Sequence, residues 1–128
     1  MPQITFKGTV FSGKGEGRKF IGLPWVKRQI EEKLGFTPYA GTLNIRLSRE
    51  GLQQKKLLAK AERLDIEPEK GYCRGSLIKA KMAGLDCGII TPEVPTYPQD
   101  VIEVVAPVFL RQRLHLSDGN EACVTVTV

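Results

Sequence analysis

The sequence is poor in the side chains that build most catalytic centres. It has one histidine, His115, and three cysteines, Cys73, Cys87 and Cys123. The cysteines are odd in number and far apart, and no CxxC pair occurs, so zinc and dithiol motifs have little to stand on. Unpaired thiols of this kind read as reduced cysteines of a cytoplasmic protein. A lone histidine near a predicted helix end gives a hydrolase triad no support. No apolar run approaches the roughly 20 residues of a membrane span. The opening MPQITFKGTVF lacks the basic-then-apolar order of a signal peptide. The protein-kinase set with its HRD and DFG motifs is absent. Basic residues are scattered rather than interleaved with aromatics as in an RNA-recognition sheet. There is no repeat, linker or low-complexity tract.

What is present describes a globular chain. Its 128 residues fit one domain with a real core, at 41% hydrophobic and 26% charged residues. The net charge of +5 favours a polyanion partner, whether nucleic acid, nucleotide phosphate or acidic membrane. Charge alone does not choose among these, nor does it displace solubility as its reason.

Hydrophobic periodicity places the elements. In Gln3 to Phe11, Ile4, Phe6 and Val10 share one parity and predict a half-buried strand. Pro24 to Gly35 predicts a helix: proline suits its first position, glycine its end, and Val26, Ile30 and Leu34 form one face. Thr42 to Leu47 alternates strictly as a strand. Leu52 to Leu64 is ambiguous between a helix with a Leu57, Leu58, Ala61 and Leu64 stripe and a solvated excursion. Gly75 to Thr91 predicts a hairpin turning near Ala83-Gly84. Thr91 to Pro98 holds three prolines and predicts an extended loop. Val101 to Val105 predicts a buried strand carrying one carboxylate. Pro107 predicts the start of a short helix through about Leu114. Ser117-Asp118-Gly119 then turns the chain into a last strand, Ala122 to Val128. Short strands with few helices indicate a small β-barrel with peripheral helices.

Three segments invite chemistry. Ser12 to Phe20 reads SGKGEGRKF, with glycines at 13, 15 and 17. It is neither a P-loop nor a dinucleotide fingerprint, whose third glycine would fall at Arg18. Glycines permit backbone N–H groups to converge on an anion, and Lys14, Arg18 and Lys19 would add charge. An ordinary hairpin tip with solvated charges explains the same residues equally well. Thr42 and Asn44 lie two apart in a predicted strand, so their oxygens share a face. They read either as neutral Mg2+ ligands or as the polar face of a half-exposed strand. Glu103 has apolar neighbours on both sides. It is either buried, needing a partner such as a substrate hydroxyl, or solvent-facing on an edge strand.

Together these segments resemble the archaeal-type CTP-dependent riboflavin kinases. The matches are SGKGEGRKF at Ser12 to Phe20, LGFTPYAGTLNIRL at Leu34 to Leu47 and VIEVVAPVFLRQRLHLSDGN at Val101 to Asn120. They occur in the family's order, with a proline-flanked Thr-Tyr before the third. The resemblance implies a six-stranded cradle-loop β-barrel with peripheral short helices, as a single domain over residues 1–128 without the N-terminal winged-helix domain of some relatives. It implies transfer of the γ-phosphate of CTP to the 5′-hydroxyl of riboflavin, giving FMN and CDP, with one Mg2+ bound with the nucleotide. By position, Gly13, Lys14, Gly15, Glu16, Gly17 and Arg18 would hold the CTP or CDP phosphates. Val108, Phe109, Leu110 and Arg111 would also touch the nucleotide. Thr42 and Asn44 would ligate the metal. Thr96 and Glu103 would contact the flavin, with Glu103 as the catalytic candidate. The segment from Thr96 to Glu103 is shorter than the family pattern and contains Pro98. The implied protein is a cytoplasmic monomer without nucleic-acid or membrane partner. Two competing readings are a non-enzymatic DNA-binding β-barrel transcription regulator and a flavin-binding module without catalysis.

Overall fold

The computed structural model describes residues 2–128, with Met1 and the Glu16 side chain outside the described residues. The strands are β1 (Gln3–Phe11), β2 (Leu43–Leu47), β3 (Leu64–Ile66), β4 (Gly75–Met82), β5 (Leu85–Pro92), β6 (Val101–Val105) and β7 (Glu121–Thr127). The helices are α1 (Glu16–Ile21), α2 (Pro24–Leu34), α3 (Arg49–Lys55) and α4 (Leu110–Arg113), and a 3-10 turn, Lys56–Lys60, follows α3.

The strands pair antiparallel in the order β3-β4-β5-β6-β2-β1-β7. One edge of β4 carries β5; the other is shared between β3, along Gly75 to Leu77, and β7, at Lys81 and Thr125. The β4–β7 bridge closes a six-stranded barrel, and β3 lies outside the ring. The mainly β expectation therefore holds. Closure leaves the ring without free edges, apart from the β4–β7 seam with its single bridging pair.

Most elements follow from local sequence. Pro24 opens α2, and Gly35 ends it at φ 79°, a left-handed conformation that glycine adopts without Cβ strain. Ala83 and Gly84, at φ 48° and 80°, make the tight β4–β5 turn whose twist suits a two-residue hairpin. Two expectations change. Leu52 to Leu64 divides into the end of α3, the 3-10 turn and the start of β3, and of its apolar stripe only Leu58 is buried. Pro107 lies in a bend, and the helix expected from it begins at Leu110.

The described residues form two apolar cores. One fills the barrel with inward residues such as Phe6, Val10, Ile45, Ile102, Val104 and Val124. The other lies outside the barrel wall, where Phe20, Ile21, Trp25, Val26 and Ile30 of α1 and α2 cover Leu77, Ile90 and Val105. Fully burying one such side chain contributes about 1.5–3 kcal/mol. This outer layer makes the segment from Ser12 to Leu34 a cover for one wall of the barrel.

Candidate functional site

The polar centre lies on the outer face of the β2–β6 pair, beside the outer core. Leu43, Ile45 and Leu47 point into the barrel, so Asn44 and the preceding Thr42 point outward. Asn44 stands directly opposite Glu103, and Glu103 opposite Ile90 of β5. β6 is thus an interior strand, and Glu103 is only 3% exposed. A buried carboxylate needs hydrogen-bond donors, and Glu103 has two. Thr42 Oγ1 donates to Oε1 at 2.7 Å, and Tyr97 OH donates to Oε2 at 2.6 Å. The solvent-facing alternative for Glu103 is thereby removed.

The glycine segment lies over this pair. It is a loop, Ser12 to Gly15, running directly into α1, and not a hairpin tip. Each glycine has its own reason. A Cβ on Gly13 would come within 2.8 Å of Asn44 Oδ1. A Cβ on Gly17 would lie 2.6 Å from Glu103 Oε2 and closer still to Oε1. Real Cβ atoms do not approach so closely, so a side chain at either position would have to push Asn44 or Glu103 out of place. Gly15 has open space around it but sits at φ 82° as the residue before α1, which favours glycine on backbone grounds. The alternation of glycines thus lets backbone rest on Asn44 and Glu103 where side chains would otherwise intervene. Lys14, Arg18 and Lys19 are exposed around this loop. The Glu16 side chain, expected among the phosphate-loop residues, is outside the described residues.

A second set of contacts ties α4 and the Ser117–Gly119 turn to the same loop. Arg111 donates to Asp118 Oδ1 at 2.7 Å and to the Phe11 carbonyl at 3.2 Å. Ser12 Oγ donates to Asp118 Oδ2 at 2.8 Å. The hydrogen bonds from Arg111 and then Ser12 hold the Asp118 carboxyl below its ordinary value. Val108, Phe109, Leu110 and Arg111 line a small cleft with Tyr39, Gly41 and Thr42. At its rim Tyr39 and Phe109 stack with centroids 4.9 Å apart and planes 17° from parallel, both 41% exposed.

Most of the expected residues therefore come together: Gly13 and Gly17 meet Asn44 and Glu103, Thr42 bonds Glu103, and Arg111 ties to the loop's first residue. Thr96 does not join them; it is exposed, and the neighbouring Tyr97 makes the contact with Glu103. Sequence reasoning passed over Tyr97 and Tyr39. The available signal for Tyr97 was an aromatic residue between prolines in the segment shorter than the family pattern. His115 is exposed at φ 54°, at the end of α4. Burial, reinforced by Asp86, pushes the Cys87 thiol up to about 12, which keeps it protonated and unreactive.

Two features bear on ligands. Among the described residues no three His, Cys, Asp or Glu side chains cluster for a metal. The oxygens of Thr42, Asn44 and Glu103 do share one face, a hard and partly neutral donor set that fits Mg2+ arriving with nucleotide phosphates. A larger cavity lies elsewhere. A groove of about 640 Å³ runs along the β4–β7 seam, lined by Lys79, Lys81, Thr125 and Thr127 among others. In the ring order this seam is opposite the β2–β6 seam. Volume and polar convergence thus point to different walls; the buried, doubly hydrogen-bonded carboxylate has the stronger chemical claim.

A family model for CTP-dependent riboflavin kinases, described as a domain of unknown function (DUF120), matches residues 10–128. The chain is 37% identical over 121 residues to a riboflavin kinase of Archaeoglobus fulgidus, covering 91% of this chain and 52% of that protein. It is 42% identical over 124 residues to a riboflavin kinase of Pyrobaculum aerophilum, covering 91% and 58%. It is 36% identical over 127 residues to a riboflavin kinase of Ignicoccus hospitalis, covering 96% and 71%. The chain spans little more than half the length of the first two of these relatives.

Proposed function

Because this chain belongs to the CTP-dependent riboflavin kinase family, we propose that it transfers the γ-phosphate of CTP to the 5′-hydroxyl of riboflavin, giving FMN and CDP. One observation carries the proposal. The glycine loop, the Thr42/Asn44 strand and the Glu103 strand, distant in sequence, meet in one patch where loop backbone lies on the two polar side chains.

Phosphoryl transfer asks a protein for alignment and charge neutralisation more than for covalent chemistry. Glu103, held by two donors, accepts the ribityl hydroxyl's hydrogen bond and orients that oxygen for in-line attack. The Gly13 to Gly17 backbone and the Arg18 guanidinium bind the phosphates. Val108 to Arg111 contact the nucleotide, with base selection through main-chain groups, since three of these four side chains are apolar. Thr42 and Asn44 would hold one Mg2+, which when bound neutralises charge on the transferring group. Thr96, exposed on the loop, would contact the flavin beside Glu103. The enzyme is proposed to act as a cytoplasmic monomer with no nucleic-acid or membrane partner. Among the described residues no helix is long and apolar enough to cross a membrane.

Incubation with riboflavin, Mg2+ and each of the four common nucleoside triphosphates tests this reading. FMN and CDP should form in equal amounts with CTP, and much less FMN with ATP. Absence of FMN with all four would overturn it.

A further inference from the structure

At 3% exposure Glu103 is out of reach of any hydroxyl arriving from solvent. Its covers are the Gly17 backbone, Thr42 and Tyr97. Gly17 is inside α1, and Thr42 leads directly into β2. Tyr97 belongs instead to a connecting segment pinned at its ends. There the Glu93 N–H donates to the Arg74 carbonyl at 2.8 Å. At the other end the Leu47 N–H donates to the Asp100 carbonyl at 2.7 Å, and Lys55 Nζ to the Gln99 carbonyl at 2.8 Å. Between these pins Pro95 and Pro98 carry no N–H, and the Tyr97 N–H closes a local turn to Val94 at 3.1 Å. This stretch can shift without unzipping a strand pair.

We infer that the Tyr97 phenol stands in for the acceptor hydroxyl: it fills the Oε2 side of Glu103 with the O–H···O bond that a primary alcohol makes, and the alcohol binds by displacing it. Thr42 retains Oε1, so the exchange is confined to Oε2 and the carboxylate keeps its orientation. Both bonds are short and charge-assisted, so a like-for-like exchange leaves Glu103 satisfied before and after binding. The phenol shields an otherwise unpaired buried carboxylate, and in return the unliganded protein presents a reduced fraction of open acceptor site. Acceptors lacking the terminal hydroxyl have nothing to put in its place. The inference rests on the reading of Glu103 as the receiver of the riboflavin hydroxyl.

The test is Tyr97→Phe in the full chain, which removes one oxygen and keeps the ring. Riboflavin and 5′-deoxyriboflavin are titrated by flavin fluorescence, and amide exchange across residues 94–99 is followed without ligand. The substitution should tighten riboflavin binding by about fivefold, since no bond has to be exchanged. Binding of 5′-deoxyriboflavin should stay within a factor of about two, and the amides of Val94, Thr96, Tyr97 and Gln99 should exchange faster. Equal changes for both flavins, weaker riboflavin binding or unaltered exchange would each overturn the inference. Failure of the wild-type chain to phosphorylate riboflavin would instead strike the reading of the site. The exchange measurement separates the two, because it needs no substrate.

Discussion

Over Leu77, Ile90 and Val105 the barrel's outer wall is covered by large side chains from α1 and α2. One residue pair away, over Asn44 and Glu103, the helix segment contributes only glycine backbone, and Tyr97 closes the rest. The glycines change sides between the two patches. In the apolar patch they are in the sheet: a Cβ on Gly75 would meet the Phe20 ring at 2.6 Å, and one on Gly88 would meet Leu34 at 2.6 Å. In the polar patch they are in the cover, and the sheet supplies the side chains. At these closest approaches a glycine on one side makes room for the side chain opposite. Where the cover is thick, the contact contributes stability. Where it is thin, glycine backbone lies directly on Asn44 and Glu103, and the Thr42 and Tyr97 hydroxyls complete the cover of the carboxylate. Ile90 and Glu103, paired across β5 and β6, mark the border.

That contrast yields an ordered set of perturbations. The largest effect belongs to Glu103→Gln, which keeps the shape and removes the charge. It should lower kcat for FMN formation by roughly 10²–10⁴-fold, the range of a lost general base. The Thr42 and Tyr97 hydroxyls can turn to accept as well as donate, so the thermal midpoint should move little. A near-wild-type kcat would remove Glu103 from the chemistry.

The glycine exchange comes next. Gly17→Ala should cut kcat by about 10²-fold through displacement of the carboxylate. Gly75→Ala should destabilise by about 1–3 kcal/mol through overpacking against Phe20 while the folded fraction keeps its kcat. Denaturant melts with activity per folded molecule measure both, and identical behaviour of the two variants would erase the distinction. Asn44→Ala should raise the Mg2+ concentration for half-maximal rate about tenfold, equivalent to about 1.4 kcal/mol. An unchanged Mg2+ profile would take Asn44 out of the metal site.

The smallest effect concerns Asp118. Its carboxyl is held below the ordinary value in the folded state. The associated stabilisation is therefore fully present above the unfolded carboxylate pKa and is lost as pH falls through the folded value. A carboxyl-carbon NMR titration should place its midpoint under that of an unstructured aspartate, and Arg111→Gln should bring it back up. An ordinary midpoint in the wild type would mean that the Arg111–Asp118–Ser12 tie does not hold in solution.

Much of the barrel was legible because local chemistry and tertiary demand agree there. The strict alternation of Leu43, Ile45 and Leu47 set β2, and Ala83-Gly84 placed the hairpin. Leu52 to Leu64 was not legible, because its short pieces divide between the two cores, Leu58 and Ala61 at the barrel core and Leu64 at the outer one. Pro107 predicts a helix start from its fixed φ, yet the chain spends Pro107 to Phe109 turning off β6 first. In the candidate site the family pattern named Glu103, Asn44 and the glycines. It could not reveal why each glycine is required, since only the fold brings Gly13 to Asn44 and Gly17 to Glu103. Tyr97 was missed for the same reason: its hydrogen bond bridges a proline-rich loop whose path has no periodicity to read.

The thin cover over Glu103 and the 640 Å³ groove at the β4–β7 seam compete as ligand sites, and they lie on opposite walls of the barrel. Backbone amide NMR shifts on addition of CTP, Mg2+ and riboflavin decide between them. Perturbations should gather at Gly13 to Arg18, Asn44, Tyr97, Glu103 and Val108 to Arg111, leaving Lys79, Lys81, Thr125 and Thr127 at rest. Shifts confined to the groove residues, with the glycine loop unmoved, would contradict the assignment of phosphoryl transfer to the β2–β6 face.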